Sequence, residues 1–349
     1  MRRPPASRRG LSAIEVLVVV GVVVLLTIVV LPLVAGFRTG TSGGWQLRDS
    51  TQIRGITQAC AIWAQNNNER YPTPSEVDLQ GTTIARPAGL VGPDRRLDTT
   101  GNTFSLMIWN GFFPVELTVS PAEAGNVDVM SGFQVASPST AVDPRNALWD
   151  PAFRGTPLDE WGGGVPGKVG DPSHNSYAQV PWFDDRGFMW GNTFSSMHAC
   201  FGNRGPAYAL DKKGRWEPIR GHNFGSRSTT LLMHGPRDEW NGNVGFNDQH
   251  VEYLTTAASP TLTWTFPGIG DPSNMMLPDN LFHAEHDHTR ALIDEHVKPV
   301  MGTDGVGTIS GDGADAGVGA LDQKNNYLRP IARILPGENG KITAEFWID

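Results

Sequence analysis

Histidine and carboxylate side chains are most densely grouped at residues 282–288, where the sequence is Phe-His-Ala-Glu-His-Asp-His. Imidazole and carboxylate groups are ligands for zinc and other divalent ions, so His283, His286 and His288 are candidate metal ligands. Their spacing matches no established zinc signature. Residues 279–297 are also compatible with a polar surface helix, so a metal site and a solvated helix are alternative interpretations.

Three aspartates, Asp304, Asp312 and Asp315, lie in a glycine-rich stretch between residues 302 and 319. Oxygen ligands on a flexible loop suit calcium, which makes calcium the candidate cofactor of this segment. The spacing does not follow an EF-hand, and a stretch rich in glycine and aspartate is also typical of an exposed loop. The sequence therefore predicts no certain cofactor.

A third group, His234, Asp248 and His250, contains the residue types of a catalytic trio. Buried polar side chains usually satisfy one another's hydrogen bonds, which gives a second explanation for the same residues. We therefore interpret them as polar groups that stabilise a turn in a structural domain. No catalytic residue is predicted, and the chain is not expected to be an enzyme.

The elements that position these groups begin with an uncharged run from Val16 to Phe37. At about 1.5 Å of helical rise per residue, this run reaches roughly 33 Å and can cross a membrane. A cleaved secretory signal would be shorter and would end at a small-x-small site. A plain signal anchor explains the length and the preceding arginines. It does not explain Glu15, because a carboxylate inside a membrane helix costs about 2.5–3.5 kcal/mol.

The sequence Arg-Arg-Gly-Leu-Ser-Ala-Ile-Glu at residues 8–15 resembles the processing site of type IV prepilins and type II secretion pseudopilins. The resemblance implies cleavage between Gly10 and Leu11 by a prepilin peptidase, followed by methylation of the Leu11 amine. It also implies that Glu15 pairs with the terminal amine of a neighbouring subunit during assembly. Pro32 falls where many pilins carry a helix-kinking proline.

A second amphipathic segment follows the apolar run and is expected to continue the same helix out of the membrane. Asn66–Asn68 and the Tyr71-Pro72 pair are expected to end it. The amino-acid sequence of residues 52–72 resembles the second half of the pilin helix, which implies packing against a sheet. The predicted packing stripe is Leu47, Ile53, Ile56, Cys60 and Trp63.

The segments 229–234 and 244–254 are predicted to be strands separated by a turn. They resemble a domain of prepilin-like proteins marked by a histidine, nine residues and then Asp-Gly. Here thirteen residues separate His234 from Asp248, and Gln249 stands in place of the glycine. We expect the turn to be rebuilt by Asn247 or Asp248, since glycine suits a positive φ.

The chain has 349 residues, a formal net charge of −8 and two cysteines. Loss of residues 1–10 removes four arginines and lowers the charge to −12. So acidic a chain is not expected to bind nucleic acid, which requires concentrated Lys and Arg. Cys60 and Cys200 could form one disulfide outside the cytoplasm, but the sequence does not decide whether they meet.

The predicted fold is α+β and type IV pilin-like, with a long N-terminal transmembrane helix packed on an antiparallel, β-rich soluble domain. The expected divisions are a leader at 1–10, a transmembrane assembly helix at 11–37, its soluble half at 38–68, and a periplasmic domain at 69–349 that holds the motif region 229–254. Residues 342–348 are predicted to form a closing strand.

The predicted function is that of a structural subunit, favoured by its size to be a minor one, of a type II secretion pseudopilus or a type IV pilus-like filament. Its partners would be the prepilin peptidase, other pilin or pseudopilin subunits and the inner membrane. It would cross that membrane once, with its N-terminus in the cytoplasm and its C-terminal domain in the periplasm.

Two other functions stay open. The first is a membrane-anchored periplasmic binding module, in which exposed tryptophans such as Trp161, Trp182 and Trp190 stack on carbohydrate rings. The second is a metal-dependent hydrolase built around the histidines of residues 283–288.

Overall fold

The computed structural model describes residues 43–159, 171–211, 215–267, 274–283, 300–301, 307–311, 325–336 and 342–348. The chain divides after Trp45 into two compact units, and nearly all the described residues belong to the second, Gln46–Asp349. The described part of that unit is α+β with antiparallel sheets, as predicted. Among the described residues, no helix is both long enough and apolar enough to cross a membrane. The predicted transmembrane helix at 11–37 lies outside them.

Helix α1 is described over residues 43–65 and ends where the sequence predicts. Asn68 and Glu69 have φ angles of 53° and 59°, which turn the chain out of the helix. Ile53, Ile56 and Cys60 are buried as expected, but Leu47 is 69 % exposed. Residue 49, not 47, lies one turn before Ile53 on the same face. Asp49 is therefore the buried residue at this end of the predicted stripe.

Residues 70–159 contain helices and loops but no strand, although the sequence predicted a β-rich domain here. Helix α2 is Pro74–Val77 and helix α3 is Thr100–Trp109. Thr99 caps α3, because its side chain accepts a hydrogen bond from the Asn102 amide. Short 3-10 helices lie at Arg95–Leu97 and Val115–Thr118.

The described residues form twelve strands, most of them after residue 198 in the chain. In chain order they are β1 Tyr177–Gln179, β2 Ala199–Asn203, β3 Tyr208–Leu210, β4 Trp216–Pro218, β5 Gly242–Phe246, β6 Val251–Leu254, β7 Thr263–Pro267, β8 Asn274–Pro278, β9 Val300–Met301, β10 Gly307–Gly311, β11 Ile331–Pro336 and β12 Ile342–Ile348.

Two four-stranded antiparallel sheets organise these strands, in the orders β1-β2-β5-β6 and β11-β12-β10-β9. Strands β3 and β4 form a separate hairpin, as do β7 and β8. The predicted closing strand is confirmed as β12. The predicted strand at 229–234 is wrong: Thr229–Leu232 is a 3-10 helix, whose first turn is capped by the Ser228 side chain.

Helix α1 packs directly on strands β2 and β5. A methyl group built on Gly245 of β5 would lie 2.7 Å from Thr57 Oγ1 and 2.9 Å from Ile53 Cγ2 of α1. Ile53, Ile56 and Cys60 belong to one hydrophobic core together with Cys200 and Phe201 of β2. The absence of a side chain at Gly245 lets the helix approach the sheet this closely.

Candidate functional site

A buried polar network joins helix α1 to the first sheet. Asp49 of α1 is fully buried and holds three side chains through its carboxylate. Its Oδ1 accepts a hydrogen bond from the Tyr177 hydroxyl at 3.0 Å. Its Oδ2 accepts one from Asn243 Nδ2 at 2.7 Å and lies 3.2 Å from His234 Nε2. One carboxylate thus connects α1, β1, β5 and the segment that carries His234.

Gln52, one turn further along α1, extends the network toward the 3-10 helix Val115–Thr118. Its side-chain amide donates to the carbonyl oxygens of Glu116 at 3.1 Å and Val119 at 3.3 Å. Its Oε1 lies 3.2 Å from the Tyr177 hydroxyl. The polar residues of the α1 face are therefore paired with backbone or side-chain partners, as burial requires.

The electrostatics of this network favour an ionised Asp49. Burial alone would raise the pKa of its carboxyl, but hydrogen bonds from His234, Ser120 and Asn243 outweigh that effect and lower the pKa below its usual value. Burial and the neighbouring Asp49 raise the pKa of Tyr177 well above its usual value. Tyr177 therefore stays neutral and acts as a hydrogen-bond donor to the carboxylate.

His234 lies between Asp49 of α1 and Tyr253 of β6. Its side chain is nearly fully buried. The ring of Tyr253 on β6 meets the His234 ring edge to face, with centroids 6.0 Å apart, and the Tyr253 hydroxyl donates to the His234 carbonyl at 3.4 Å. The motif histidine is thus held by α1 on one side and by β6 on the other.

Asp248 and His250 lie in the turn between β5 and β6 and have other partners than His234. His250 Nδ1 is 2.5 Å from Asp248 Oδ1, and the His250 ring stacks on Phe246. The prediction that Asn247 or Asp248 rebuilds the turn is wrong. Gln249 itself has a φ of 72° and adopts the left-handed conformation. The three motif residues therefore form two separate contacts and no common trio.

The predicted metal ligands are mostly outside the described residues. His283 is described and buried, and its ring lies 4.7 Å from that of Trp216 on β4. His286 and His288 fall outside the described ranges, as do Asp304, Asp312 and Asp315. Within the part of the chain that the structure describes, no group of three or more His, Cys, Asp or Glu side chains could hold a metal ion.

The residues of the predicted processing and assembly site, Gly10, Leu11, Glu15 and Pro32, also lie outside the described residues. Trp161 of the predicted carbohydrate surface does so as well. Trp182 and Trp190 are buried and stack on each other, with ring centroids 4.3 Å apart. These two tryptophans are core residues, so they cannot provide an open stacking surface for sugar rings.

Cys60 and Cys200 are both buried free thiols in the interface between α1 and β2. Burial raises the pKa of Cys60 well above its usual value and that of Cys200 to about 12. The thiolate is the reactive form of cysteine, so burial keeps both groups unreactive near neutral pH. They contribute to packing, as the sequence pattern of α1 predicted for Cys60.

Sequence reasoning missed four members of the network: Asp49, Gln52, Tyr177 and Asn243. One signal for the first two was available, because Asp49 lies four residues before Ile53 and Gln52 lies four residues before Ile56, on a helix with a buried stripe. Tyr177 and Asn243 carried no such signal, since they are distant in the chain and meet α1 only through the sheet.

Comparisons with known proteins add no relative: no family model, no curated protein and no solved structure matches this chain.

Proposed function

We propose that this chain is a minor structural subunit of a type II secretion pseudopilus or a type IV pilus-like filament, cut after Gly10 by a prepilin peptidase. One observation carries the proposal. A basic segment ends in Gly10-Leu11, Glu15 follows, and an uncharged run of membrane-spanning length comes directly after it.

The chemistry of Glu15 gives this pattern its meaning. A carboxylate in a membrane helix is costly unless a cation neutralises it. Cleavage after Gly10 creates a free amine at Leu11, and that amine on a neighbouring subunit can supply the cation. The same step removes the leader together with its four arginines, which favour the cytoplasmic side of the membrane. Cleavage would thus release the subunit for assembly.

The close contact between α1 and the first sheet supports this function. A filament subunit that is moved by its N-terminal helix needs its soluble domain fixed to that helix. Asp49 binds partners from β1 and β5, and Gly245 lets α1 approach β5 closely. On α1, these contacts are made by Asp49, Ile53 and Thr57.

Size and charge support the remaining parts of the proposal. About 280 residues follow the predicted helix, more than one ordinary domain needs, which favours a minor or specialised subunit. The net charge of −8 argues against nucleic acid as a partner. The proposed partners are the prepilin peptidase, other filament subunits and the inner membrane, with the C-terminal domain in the periplasm.

Processing by the peptidase is the direct experiment. The full chain is expressed in a bacterial membrane with and without a prepilin peptidase, and its mobility is followed on a gel. The peptidase should shorten the wild-type chain and leave Gly10→Val at full length. Gly40→Val, outside the motif, is the matched control and should be cut normally. A wild-type chain that stays full length beside a cleaved reference prepilin would refute the proposal.

A further inference from the structure

The chain has two cysteines, and the structure places both of them in the interface between α1 and β2. Cys60 and Cys200 are 140 positions apart in the sequence. Both side chains are buried, and both belong to the hydrophobic core that joins the helix to the first sheet. The sequence left open whether the two thiols meet, whereas the fold brings them into one interface.

Gly245 and Thr57 fix the position of the Cys200 thiol relative to the helix. The Cys200 Sγ donates a hydrogen bond to the Gly245 carbonyl oxygen at 3.3 Å. A methyl group built on Gly245 would lie 2.7 Å from Thr57 Oγ1. Burial raises the pKa of Cys200 to about 12, and a hydrogen bond between its side chain and Thr57 acts against that rise. The Cys200 thiol therefore lies against the turn of α1 that carries Thr57.

Cys60 lies on the same buried face of α1, three residues after Thr57. Residues three apart on a helix are neighbours, with Cβ atoms about 5–6 Å from each other. Burial raises the pKa of the Cys60 thiol, and the nearby Cys200 thiol adds to that rise. Burial also raises the pKa of the Tyr71 phenol, and both thiols contribute to it. Thr57 and Tyr71 thus border the same pair of thiols.

We infer that Cys60 and Cys200 become joined by a disulfide bond when the domain reaches the periplasm, and that this bond fixes α1 to β2. The inference rests on the proposed function, because the bacterial periplasm is oxidising whereas the cytoplasm keeps thiols reduced. The structure describes both cysteines in their reduced form. That form corresponds to the chain before oxidation.

The oxidant is the disulfide of a periplasmic thiol–disulfide oxidoreductase. The thiolate of one cysteine attacks that disulfide, which gives a mixed disulfide and releases one thiol of the oxidant. The thiolate of the other cysteine then attacks the mixed disulfide and releases the second thiol. Cys60 and Cys200 lose two protons and two electrons in total, and the oxidant gains them. Because burial suppresses the thiolate form, the exchange takes place during folding, before the interface closes.

The bond closes a long loop that contains α2, α3 and β1. A cross-link across a long loop removes much of the conformational entropy of the unfolded chain, so it stabilises the folded domain. It also holds α1 on the sheet when the helix is pulled during assembly. Reduction of the purified, oxidised chain should therefore lower its thermal midpoint by about 5–10 °C. An unchanged midpoint would refute the claim that the bond fixes α1.

Counting free thiols tests the pairing directly. The full chain is expressed in a bacterial membrane together with the peptidase, in cells with and without the oxidoreductase. The cells are quenched with acid, and the denatured chain is labelled with a polyethylene glycol maleimide, which retards the chain on a gel once for each free thiol. With the oxidoreductase we expect no label before reduction and two labels after it. Without the oxidoreductase, two labels should appear before reduction. Peptide mass spectrometry should show Cys60 linked to Cys200.

The double variant Cys60→Ser, Ala64→Cys is the matched control. Ala64 is also buried on α1, so the variant keeps one buried cysteine on the helix. It lies about 10 Å along the helix axis from Thr57, which is too far for a disulfide, whose Cβ atoms are about 4 Å apart. Two free thiols should remain in cells that contain the oxidoreductase. Oxidation of this variant to the same extent as the wild type would show that the position of Cys60 does not determine the pairing.

The outcomes separate the inference from the proposed function. If the chain is cut after Gly10 but both thiols stay free, while a reference periplasmic protein is oxidised in the same cells, the inference is wrong and the proposed function stands. A disulfide from either cysteine to another protein, in place of the internal bond, also refutes the inference. A chain that is never cut refutes the proposed function, on which the inference depends.

Discussion

Asp49 and His234 show how one buried carboxylate is stabilised by residues far apart in the chain. Their side chains are 185 positions apart and lie 3.2 Å from each other in the interior. Asp49 also accepts hydrogen bonds from Tyr177 and Asn243, so it needs no arginine or lysine partner. Removing one donor leaves part of a buried charge unsatisfied, which costs more than the hydrogen bond itself contributes.

Replacement of His234 by alanine should therefore lower the free energy of unfolding by about 1–3 kcal/mol. His250→Ala is the matched control, because His250 belongs to the same motif but is 39 % exposed at its side chain. Its effect should stay within about 0.5 kcal/mol. Urea denaturation of both variants measures the difference. Equal losses for the two histidines would show that His234 has no special role in the junction.

Gln249 is a second residue whose contribution can be measured. Its φ of 72° places it in the left-handed region, which costs a residue other than glycine about 1–2 kcal/mol. Gln249→Gly should relieve this strain and, after the added entropy of the unfolded chain, raise stability by about 0.5–1 kcal/mol. Gln249→Ala keeps the strain and should bring no gain. The thermal midpoints of the two variants compare them directly.

The element on which the proposed function depends most is helix α1. Its contact with β5 is close because residue 245 has no side chain. Gly245→Ala would place a methyl group 2.7 Å from Thr57 Oγ1 and 2.9 Å from Ile53 Cγ2. The helix would have to shift from the sheet, so we expect a loss of about 1–3 kcal/mol in unfolding free energy.

Gly44→Ala provides the control on the same helix. A methyl group at Gly44 would meet nothing within 4 Å. Alanine favours the helix over glycine by up to about 1 kcal/mol, so this variant should be as stable as the wild type or slightly more so. Chemical denaturation followed by tryptophan fluorescence measures both variants. A Gly245→Ala variant as stable as the wild type would mean that α1 and β5 do not pack this closely.

Local sequence signals predicted some elements and failed for others. The end of α1 at Asn66–Asn68 and strand β12 followed from turn residues and alternation, which act over a few positions. Residues 229–232 are two β-branched threonines and two leucines, which are typical of a strand. The Ser228 side chain instead caps a 3-10 helix there. Helix α3 was missed because residues 100–108 are all buried, polar ones such as Asn102 and Ser105 included, so its sequence does not separate an exposed polar face from a buried apolar one.

The candidate site was less predictable than the elements. His234 was singled out by its motif, but its carboxylate partner on α1 depends on how the helix lies across the sheet. No local pattern encodes a contact between residues 185 positions apart. The helical period, counted back four residues from Ile53, would have placed Asp49 on the buried face, but the predicted stripe named Leu47 instead.

At the scale of the whole molecule, three buried carboxyls make stability depend on pH. Burial raises the pKa of Asp159 to about 7 and those of Asp98 and Asp279 to about 6 each. A pKa raised in the folded state means that folding binds protons. The contribution to stability is complete below the unfolded pKa of about 3.9 and is lost as pH rises through the folded pKa. Burial lowers the pKa of His174 to about 4, which acts in the opposite direction.

Asp159→Asn isolates one of these groups. The difference in unfolding free energy between wild type and variant should shrink by about 2 kcal/mol as pH rises from about 5 to 8, since one pKa unit corresponds to about 1.4 kcal/mol. Asp143→Asn should show no comparable slope in this range, because a hydrogen bond from the Asn146 side chain lowers the pKa of the Asp143 carboxyl below its usual value. Urea titrations at the two pH values provide the data. Parallel pH profiles for wild type and Asp159→Asn would contradict the raised pKa.

We propose that this molecule is an assembly subunit whose mature N-terminal helix begins at Leu11 after cleavage. Three features have a role if Leu11 is the mature N-terminus. They are the charge of Glu15, the length of the apolar run, and the buried hydrogen bonds between Asp49 and the first sheet. Mass spectrometry of the N-terminal peptide, from protein purified out of bacterial membranes that contain a prepilin peptidase, tests this most directly. We expect a chain that begins at Leu11 with a methylated amine. An intact Met1, or a chain cut near Ala35, would contradict it.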